Sequence, residues 1–227
     1  MYTILLDSHN NYVSLHPENQ NTANMPGRKV NKETIFRSAF KTFLNADYGT
    51  VSIQDIEDSG DFTRGALFYY AKTKPDIFRL AMEVGLFDRM RNEEELDVFV
   101  SQPKKLAEFI TFYAEWLEQP IKIIMEAKEC SQGEAARVFL HLLSSTKEVM
   151  PEFTAHFKAS NEKLRSALFG VLEQARNQRE LPVGTNINQL ADEIYLTTWG
   201  CYVDAVFTRS RNFDLLRGLQ GIIDRYK

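Results

Sequence analysis

The chain has 227 residues, of which 44% are hydrophobic and 26% are charged, and its formal net charge is −4. These values are ordinary for a soluble protein of one large domain or two smaller ones, and the negative charge argues against a protein that coats nucleic acid. The longest apolar runs fall short of the roughly 20 residues of a membrane span, and the first residues lack the features of a signal peptide, so we expect a cytoplasmic protein.

The first 27 residues differ from the rest of the chain. Residues 1–27 are polar, rich in Asn and nearly without periodicity, so we predict a mostly flexible extension with at most a short strand-like piece at Tyr2–Leu6. Asn31 is a suitable N-cap for a first helix, which is predicted to end near Asp47–Gly49. The apolar residues that recur at helical spacing in this helix are Ile35, Phe36, Ala39, Phe40, Phe43 and Leu44.

Two short helices joined by a tight turn are predicted next. Ser52 is a suitable N-cap, and Asp55 three residues later completes a capping-box pattern, before Ser59–Asp61 breaks the helix. The third helix, Thr63–Tyr70, is small, basic and aromatic. This arrangement is typical of a helix-turn-helix, which presents its second helix to the DNA major groove.

Helical periodicity continues to the end of the chain. Thr73 is expected to cap a fourth helix, with Pro75 in the first turn, where its missing N–H costs nothing. The later predictions are, in order, a helix with an apolar stripe that ends at Pro120, a second such helix that ends before Pro151, and helices over Phe153–Asn177, Ile187–Phe207 and Phe213–Arg225. Since the folded part contains no persuasive strand, the predicted fold class is all-α, with about nine or ten helices.

The distribution of charge supports a division into three parts. Residues 1–27 carry −2, residues 28–91 carry eleven Lys/Arg against nine Asp/Glu (+2), and residues 92–227 carry sixteen against twenty (−4). The small positive excess lies in the block that contains the predicted helix-turn-helix. We therefore predict a flexible extension over 1–27, a DNA-binding domain over 28–75 and a larger helical domain over 76–227.

The stretch AFKTFLNADYGTVSIQDIEDSGDFTRGALFYYAKTKPDIF resembles the N-terminal signature of the TetR family of bacterial transcriptional regulators. The most specific piece is TRGALFYYAKTK, Thr63–Lys74. The resemblance implies a three-helix helix-turn-helix domain joined to a larger helical regulatory and dimerisation domain. Four residues depart from the family pattern: Asp61 stands at the usual turn glycine, Glu57 at a small alanine, Phe68 at a tyrosine and Ala71 at a phenylalanine.

Small and polar residues at the start of the third helix would allow close approach to DNA. Arg64 can pair bidentately with guanine O6 and N7, a contact worth roughly 1–3 kcal/mol of base discrimination; the alternative is a solvated surface arginine. Lys74 is suited to phosphate because it lies near the positive end of the fourth helix. The residues expected at DNA are Thr50, Ser52, Gln54, Thr63, Arg64, Gly65, Ala66, Phe68, Tyr69, Tyr70 and Lys74.

One such domain buries too little surface for tight specific binding, so we expect a homodimer on a palindromic operator, with half-sites about 34–36 Å apart. In the family that the chain resembles, the last two long helices of each subunit form a four-helix interface between subunits. For any one residue of these helices, the alternative is a place in the core of its own chain. The residues predicted at this interface are Leu168, Leu172, Ile194, Thr198, Trp199 and Tyr202.

The resemblance also implies a cavity in the larger domain for a small-molecule effector, which an apolar or aromatic compound would suit. The candidate lining residues are Phe109, Phe112, Tyr113, Trp116, Met125, Phe139, His141 and Phe157, for each of which an ordinary place in the core is the alternative. No cofactor or metal site is predicted, since Cys130 and Cys201 fit no metal spacing and are expected to be buried free thiols.

These observations favour a ligand-responsive DNA-binding regulator, a repressor in the family's usual mode. The alternative is an interaction module that kept the fold but binds DNA weakly or not at all. A catalytic function is not expected, because the sequence offers no nucleophile–base pair, no glycine-rich phosphate loop and only four histidines.

Overall fold

A computed structural model describes residues 31–90, 92–102, 105–208 and 214–227. Across these residues the protein is all helical, without strands, which confirms the predicted fold class. The helices are α1 (Lys32–Asn45), α2 (Ile53–Asp58), α3 (Arg64–Tyr70), α4 (Lys74–Gly85), α5 (Glu93–Val100), α6 (Leu106–Lys128), α7 (Gln132–Val149), α8 (Pro151–Asn177), α9 (Ile187–Thr208) and α10 (Leu215–Asp224), with a 3-10 turn at Phe87–Arg89. The predicted extension over 1–27, the strand-like piece at Tyr2–Leu6 and the predicted helix start at Phe213 lie outside the described residues.

Helices α1 to α4, which we call the head, surround an aromatic core. α1 packs along α4, and the ring of Phe43 meets the ring of Phe78 edge-on at 4.9 Å between centroids. The two short helices are held to this core by one fully buried residue each, Ile56 in α2 and Leu67 in α3. Since α3 buries so little of itself, most of its surface faces away from the head.

The remaining helices form a bundle in which α7 packs against both α6 and α9, and α10 packs against α6 and α9. Tyr202 is buried in α9, and its hydroxyl donates a hydrogen bond to the carbonyl of Leu117 in α6. None of the described helices combines the length and the apolar character needed to span a membrane.

Helix α6 continues beyond Pro120, where we predicted its end. Pro120 is buried inside a helix that runs on to Lys128. An internal proline costs about 3 kcal/mol because it removes a backbone hydrogen bond and crowds the preceding turn. The next residues include Ile121, Ile123 and Ile124, all buried, and burying each of them contributes roughly 1.5–3 kcal/mol. The prediction was wrong because tertiary burial outweighs the local penalty.

The head and the bundle meet along α4 and its continuation. Arg79 of α4 pairs with Glu152 at the start of α8, with 3.2 Å between Nε and Oε1. Just beyond α4, the ring of Phe87 stacks on that of Phe153 at 3.9 Å. The boundary that we predict between residues 75 and 76 falls in the first turn of α4, a helix that both completes the head core and leads into the bundle.

The close contact between α1 and α4 depends on Gly85. A Cβ atom built at this position would lie 2.2 Å from Cγ of Phe40 in α1, which is far inside van der Waals contact. We predict that Gly85→Ala lowers the free energy of unfolding by about 1–3 kcal/mol, because the two helices must move apart. Urea denaturation followed by circular dichroism measures the change.

Gly218→Ala is the matched control, since it also lies in a helix but its added Cβ would meet no atom within 4 Å. Alanine should there stabilise the helix by roughly 0.5–1 kcal/mol. Equal effects of the two substitutions would contradict the role given to Gly85.

Candidate DNA-binding surface

Side-chain caps fix the ends of the short helices in the head. The backbone N–H of Asp55 donates to Oγ of Ser52 at 3.1 Å, and the N–H of Ser52 donates to Oδ2 of Asp55 at 2.7 Å. The N–H of Ala66 donates to Oγ1 of Thr63 at 3.2 Å. Thr73 caps α4 with a reciprocal pair of hydrogen bonds like that of Ser52. The caps predicted at Ser52, Thr63 and Thr73 are confirmed, so α2 and α3 start at defined residues.

Two charged side chains, those of Asp55 and Lys74, lie in the first turns of α2 and α4. The backbone N–H and hydroxyl of Ser52 donate to Asp55 and hold the pKa of its carboxyl below its usual value. Burial lowers the pKa of Lys74, and the nearby charge of Asp55 opposes this shift. The Nζ of Lys74 lies 4.5 Å from the centre of the Tyr48 ring. Lys74 is therefore a half-buried cation in contact with an aromatic face.

The leading end of α3 projects into solvent. Thr63, Arg64 and Gly65 are exposed, and a Cβ at Gly65 would come no closer than 3.8 Å to any neighbouring atom. Tyr69 is 69% exposed and Tyr70 37% exposed, so both reach the same outer surface. A helix end that is slim and exposed can approach a base edge closely, which is the geometry that a recognition helix needs.

The two tyrosines differ in how firmly they are held. Tyr70 packs edge-on against Phe36 of α1, with 6.2 Å between ring centres. Tyr69 contacts Tyr70 perpendicularly at 4.9 Å. Tyr70 therefore lies at the edge of the head core, while Tyr69 presents its ring and hydroxyl to solvent.

The other residues predicted at DNA surround this end. Thr50, Ser52 and Gln54 are exposed before and within the first turn of α2, and the amide of Gln54 donates to Asp58 at 2.8 Å. Three further residues are half-buried: Ala66, Phe68 and Lys74. The structure thus gathers all eleven predicted residues on and around α2, α3 and the start of α4.

Arg64 makes an intramolecular contact that the sequence did not reveal. Its Nε lies 3.5 Å from Oε1 of Glu57 in α2, and its guanidinium carbon lies 5.4 Å from the centre of the Phe68 ring. From the sequence, Glu57 stands out only because the family that the chain resembles has a small alanine at this position. The signal available in the sequence was an acid seven residues before a basic residue, across a turn that brings two helices together.

The turn between α2 and α3 closes without a left-handed residue. In the part of the chain that the structure describes, only Glu129 and Arg179 have positive φ among non-glycine residues. Asp61 therefore does not adopt the left-handed conformation that glycine favours. Ala71 is fully buried, so the small side chain at this position still belongs to the head core.

The aromatic pocket residues predicted in α6 form a cluster with α5, in which Phe109, Phe112, Tyr113 and Trp116 lie in a row of ring contacts. Phe99 of α5 stacks on Phe112 at 3.9 Å, and Trp116 lies 5.6 Å from Phe112. Four of the predicted residues are buried: Phe109, Phe112, Tyr113 and Phe139. Met125 and Phe157 are half-buried.

His141 lies apart from that aromatic cluster. Its Nε2 is 3.0 Å from Oδ1 of Asp47, in the loop after α1. The side chain therefore bridges the bundle and the head. Sequence periodicity placed His141 on a helix but could not indicate that this part of α7 meets the head.

Most residues predicted at the dimer interface lie in the interior of a single chain. Five of the six are buried there: Leu168, Leu172, Ile194, Thr198 and Tyr202. Their side chains are covered within one chain, which is the alternative stated above for each of them. Trp199 is half-buried. Among the described residues of the same two helices, the large apolar side chains that are exposed are Phe169, Leu196, Val203 and Phe207.

A surface groove follows the junction of α8 and α9. It is lined by Glu162, Arg165, Ser166, Phe169, Asn188, Ala191 and Asp192. The predicted pocket residues do not line it. Arg165 pairs with Asp192 and lies 5.2 Å from the centre of the Tyr195 ring, so its charge is already balanced.

Metal-ligating residues do not cluster in the described ranges. Among those residues, no three of His, Cys, Asp and Glu come together in a way that could hold a metal ion. Cys130 and Cys201 are free, as expected, and half-buried, where buried thiols were expected. Burial raises the pKa of both thiols, which makes them less reactive.

Neither a protein-family profile nor a curated protein sequence matches the chain. Several solved structures match it in fold, and two of them are GusR and NalD. GusR of Salmonella enterica aligns with a TM-score of 0.50 and 14% identity, over 86% of this chain and 94% of GusR. NalD, the secondary repressor of the MexAB-OprM multidrug efflux pump in Pseudomonas aeruginosa, aligns with a TM-score of 0.50 and 17% identity, over 86% of this chain and 92% of NalD. At these identities the likeness shows a shared all-helical fold.

Proposed function

We propose that this protein is a transcriptional regulator of the TetR type, which binds a palindromic DNA operator as a homodimer and responds to a small-molecule effector. The observation that carries the proposal is the exposed end of α3, held outward by Leu67 and by the Thr63 cap. A similar fold in NalD, a repressor, is consistent with this function. Repression is the direction that we propose.

The residues around α3 take complementary parts in the proposed complex. Arg64 reads a guanine, while Tyr69 places its ring against a sugar or thymine methyl and its hydroxyl near a phosphate. Thr50 and Ser52, at the start of α2, and Lys74, at the start of α4, are placed for contacts with phosphates, which lie close to helix N-termini in such complexes.

For the dimer, we propose that the outward faces of α8 and α9 from two copies pack together. Leu196, Val203 and Phe207 are 66%, 49% and 79% exposed and lie at helical spacing on one side of α9. Gly200 lies between them, and a Cβ there would meet no atom within 4 Å. Large apolar residues that remain exposed at such spacing mark a surface that another protein covers.

For the effector, we propose the aromatic cluster of α5 and α6 as the binding site. Because Phe99 and Phe112 are in stacking contact, a ligand must separate these rings to enter. Helix α5 is tied to α8 by Lys163, whose Nζ lies 2.7 Å from Asp97 and 3.3 Å from Glu93. An effector acts only through a difference in affinity between two conformations, and movement of α5 supplies a second one.

The acidic residues of α2 and of the turn before α3 favour a second candidate, an interaction module with weak DNA binding. Residues 50–74 contain three basic residues, Arg64, Lys72 and Lys74, and four acidic ones. The acidic residues are Asp55, Glu57, Asp58 and Asp61. With three basic and four acidic residues this segment has a net charge of −1, so it gains less from the release of counterions than a typical DNA-binding surface does.

Selection of duplexes from a random pool, followed by salt titrations, separates the two candidates. A specific regulator enriches a palindrome and binds it about a thousandfold more tightly than random DNA, or better. An interaction module enriches no sequence.

Substitutions in the head test the individual roles on the selected duplex. We predict that Arg64→Ala weakens binding and broadens base choice, with a loss of about 1–3 kcal/mol at one guanine. Lys74→Ala should weaken binding to all sequences about equally and reduce the salt dependence. Arg137→Ala in α7 is the control, since this side chain is 56% exposed on the bundle. Equal losses with unchanged base preference for both head variants would contradict these roles.

Charge substitutions in α9 test the dimer. We predict that Leu196→Glu and Phe207→Glu each raise the dimer dissociation constant at least about tenfold, because a carboxylate would be buried at the seam. Val183→Glu is the control: Val183 is 78% exposed but lies in the loop before α9. Sedimentation equilibrium measures the constant. A wild-type monomer, or equal effects of all three substitutions, would refute the proposed seam.

A further inference from the structure

A carboxylate oxygen of Glu57 has an unusual environment. Glu57 lies near the end of α2 with its side chain only 13% exposed, and its Oε1 atom is buried without a hydrogen bond. Buried polar atoms are nearly always hydrogen-bonded, and a carboxylate that is not is costly. The nearest cation is Arg64, whose Nε is 3.5 Å away, beyond the distance of a good hydrogen bond.

Arg64 is held on two sides by groups of the head. The carboxylate of Glu57 lies beside its Nε, and its guanidinium carbon lies over the ring of Phe68, 5.4 Å from the ring centre. The side chain nevertheless remains 65% exposed. An arginine with partners at its Nε and on its face has fewer rotamers to lose when its outer end binds, so less free energy is spent on ordering it.

We propose that Glu57 is a positioning residue that gives Arg64 its specificity for guanine, an inference that rests on the proposed function. The contact with Glu57 is made at Nε, in a side chain that is 65% exposed, and it leaves the two terminal amino groups available to DNA. Those groups match the O6 and N7 acceptors of guanine in the major groove. When DNA covers this site and excludes water, the attraction between Glu57 and Arg64 strengthens.

The carboxylate also opposes binding to the wrong partners. A negative charge beside Arg64 weakens its attraction to phosphates, which every sequence presents alike. Glu57 thus lowers the affinity for random DNA. A larger share of the affinity that remains then comes from the contact with guanine, so the protein discriminates better between bases. This effect explains why an acid occupies a position facing the proposed recognition arginine.

Asp58 supplies a matched control for the charge of Glu57. It is the next residue in the same helix, it is exposed, and it accepts a hydrogen bond from Gln54. No described ion pair joins it to Arg64. Asp58→Asn and Glu57→Gln each remove one negative charge from α2, but only Glu57→Gln removes it from beside the guanidinium.

The test measures binding of the full-length protein to the duplex enriched from random DNA, to the same duplex with the contacted guanine replaced by each other base, and to random DNA. Glu57→Gln should lower the preference for guanine about tenfold and increase the affinity for random DNA. Asp58→Asn should increase the affinity for random DNA but leave the guanine preference as in the wild type. Unchanged guanine preference in Glu57→Gln would overturn the proposal.

A double variant tests whether Glu57 acts through Arg64. In the Arg64→Ala background, Glu57→Gln should no longer change base preference, since the group that it positions is gone. A residual effect of the same size would overturn the proposal. Glu57→Ala gives a second variant in case glutamine disturbs the helix, because alanine is the best helix former. If the wild-type protein shows no base preference, the proposed function itself fails, an outcome that is visible before any variant is made.

Discussion

The contact between α1 and α4 is the constraint on which the rest of the head depends. These two helices carry most of its aromatic core, and Gly85 lets them approach until Phe40 fills the space where a side chain would stand. Against this frame, α3 is fixed by its one fully buried residue, Leu67, by the contact of Tyr70 with Phe36, and by the Thr63 cap at its start. A short helix of this kind has little stability of its own, so the outward aim of its first turn depends on how firmly α1 and α4 hold together.

The fold was largely predictable because its signals are local. Capping residues such as Ser52 and Thr63 mark helix starts, and apolar spacing marks buried faces, so most helices appear within a few residues of their predicted bounds. Pro120 was misleading because burial of the following isoleucines is a tertiary effect. Periodicity also cannot tell burial inside one chain from burial between two, which is why Leu168 and Ile194 were placed at the dimer seam although their own chain covers them.

The sequence predicted where the residues of the candidate site lie, but not which of them contact one another. The sequence placed Arg64 on an exposed helix end, and the structure agrees. The pairing of Arg64 with Glu57 depends on the angle between α2 and α3, which no local pattern specifies. With this pairing and the acidic residues nearby, residues 50–74 carry no net positive charge. Under the proposed function, such a surface needs base contacts and a second copy to gain affinity for DNA, so specificity and dimerisation are linked in the proposed regulator.

Hydrogen–deuterium exchange of the full-length protein, with and without the enriched duplex, tests most directly whether the exposed end of α3 meets DNA. The account predicts that the duplex slows exchange of backbone amides over residues 50–55 and 63–74, while amides of the outward faces of α6 and α7 exchange as before. Slowed exchange in the bundle, with residues 63–74 unchanged, would contradict the account.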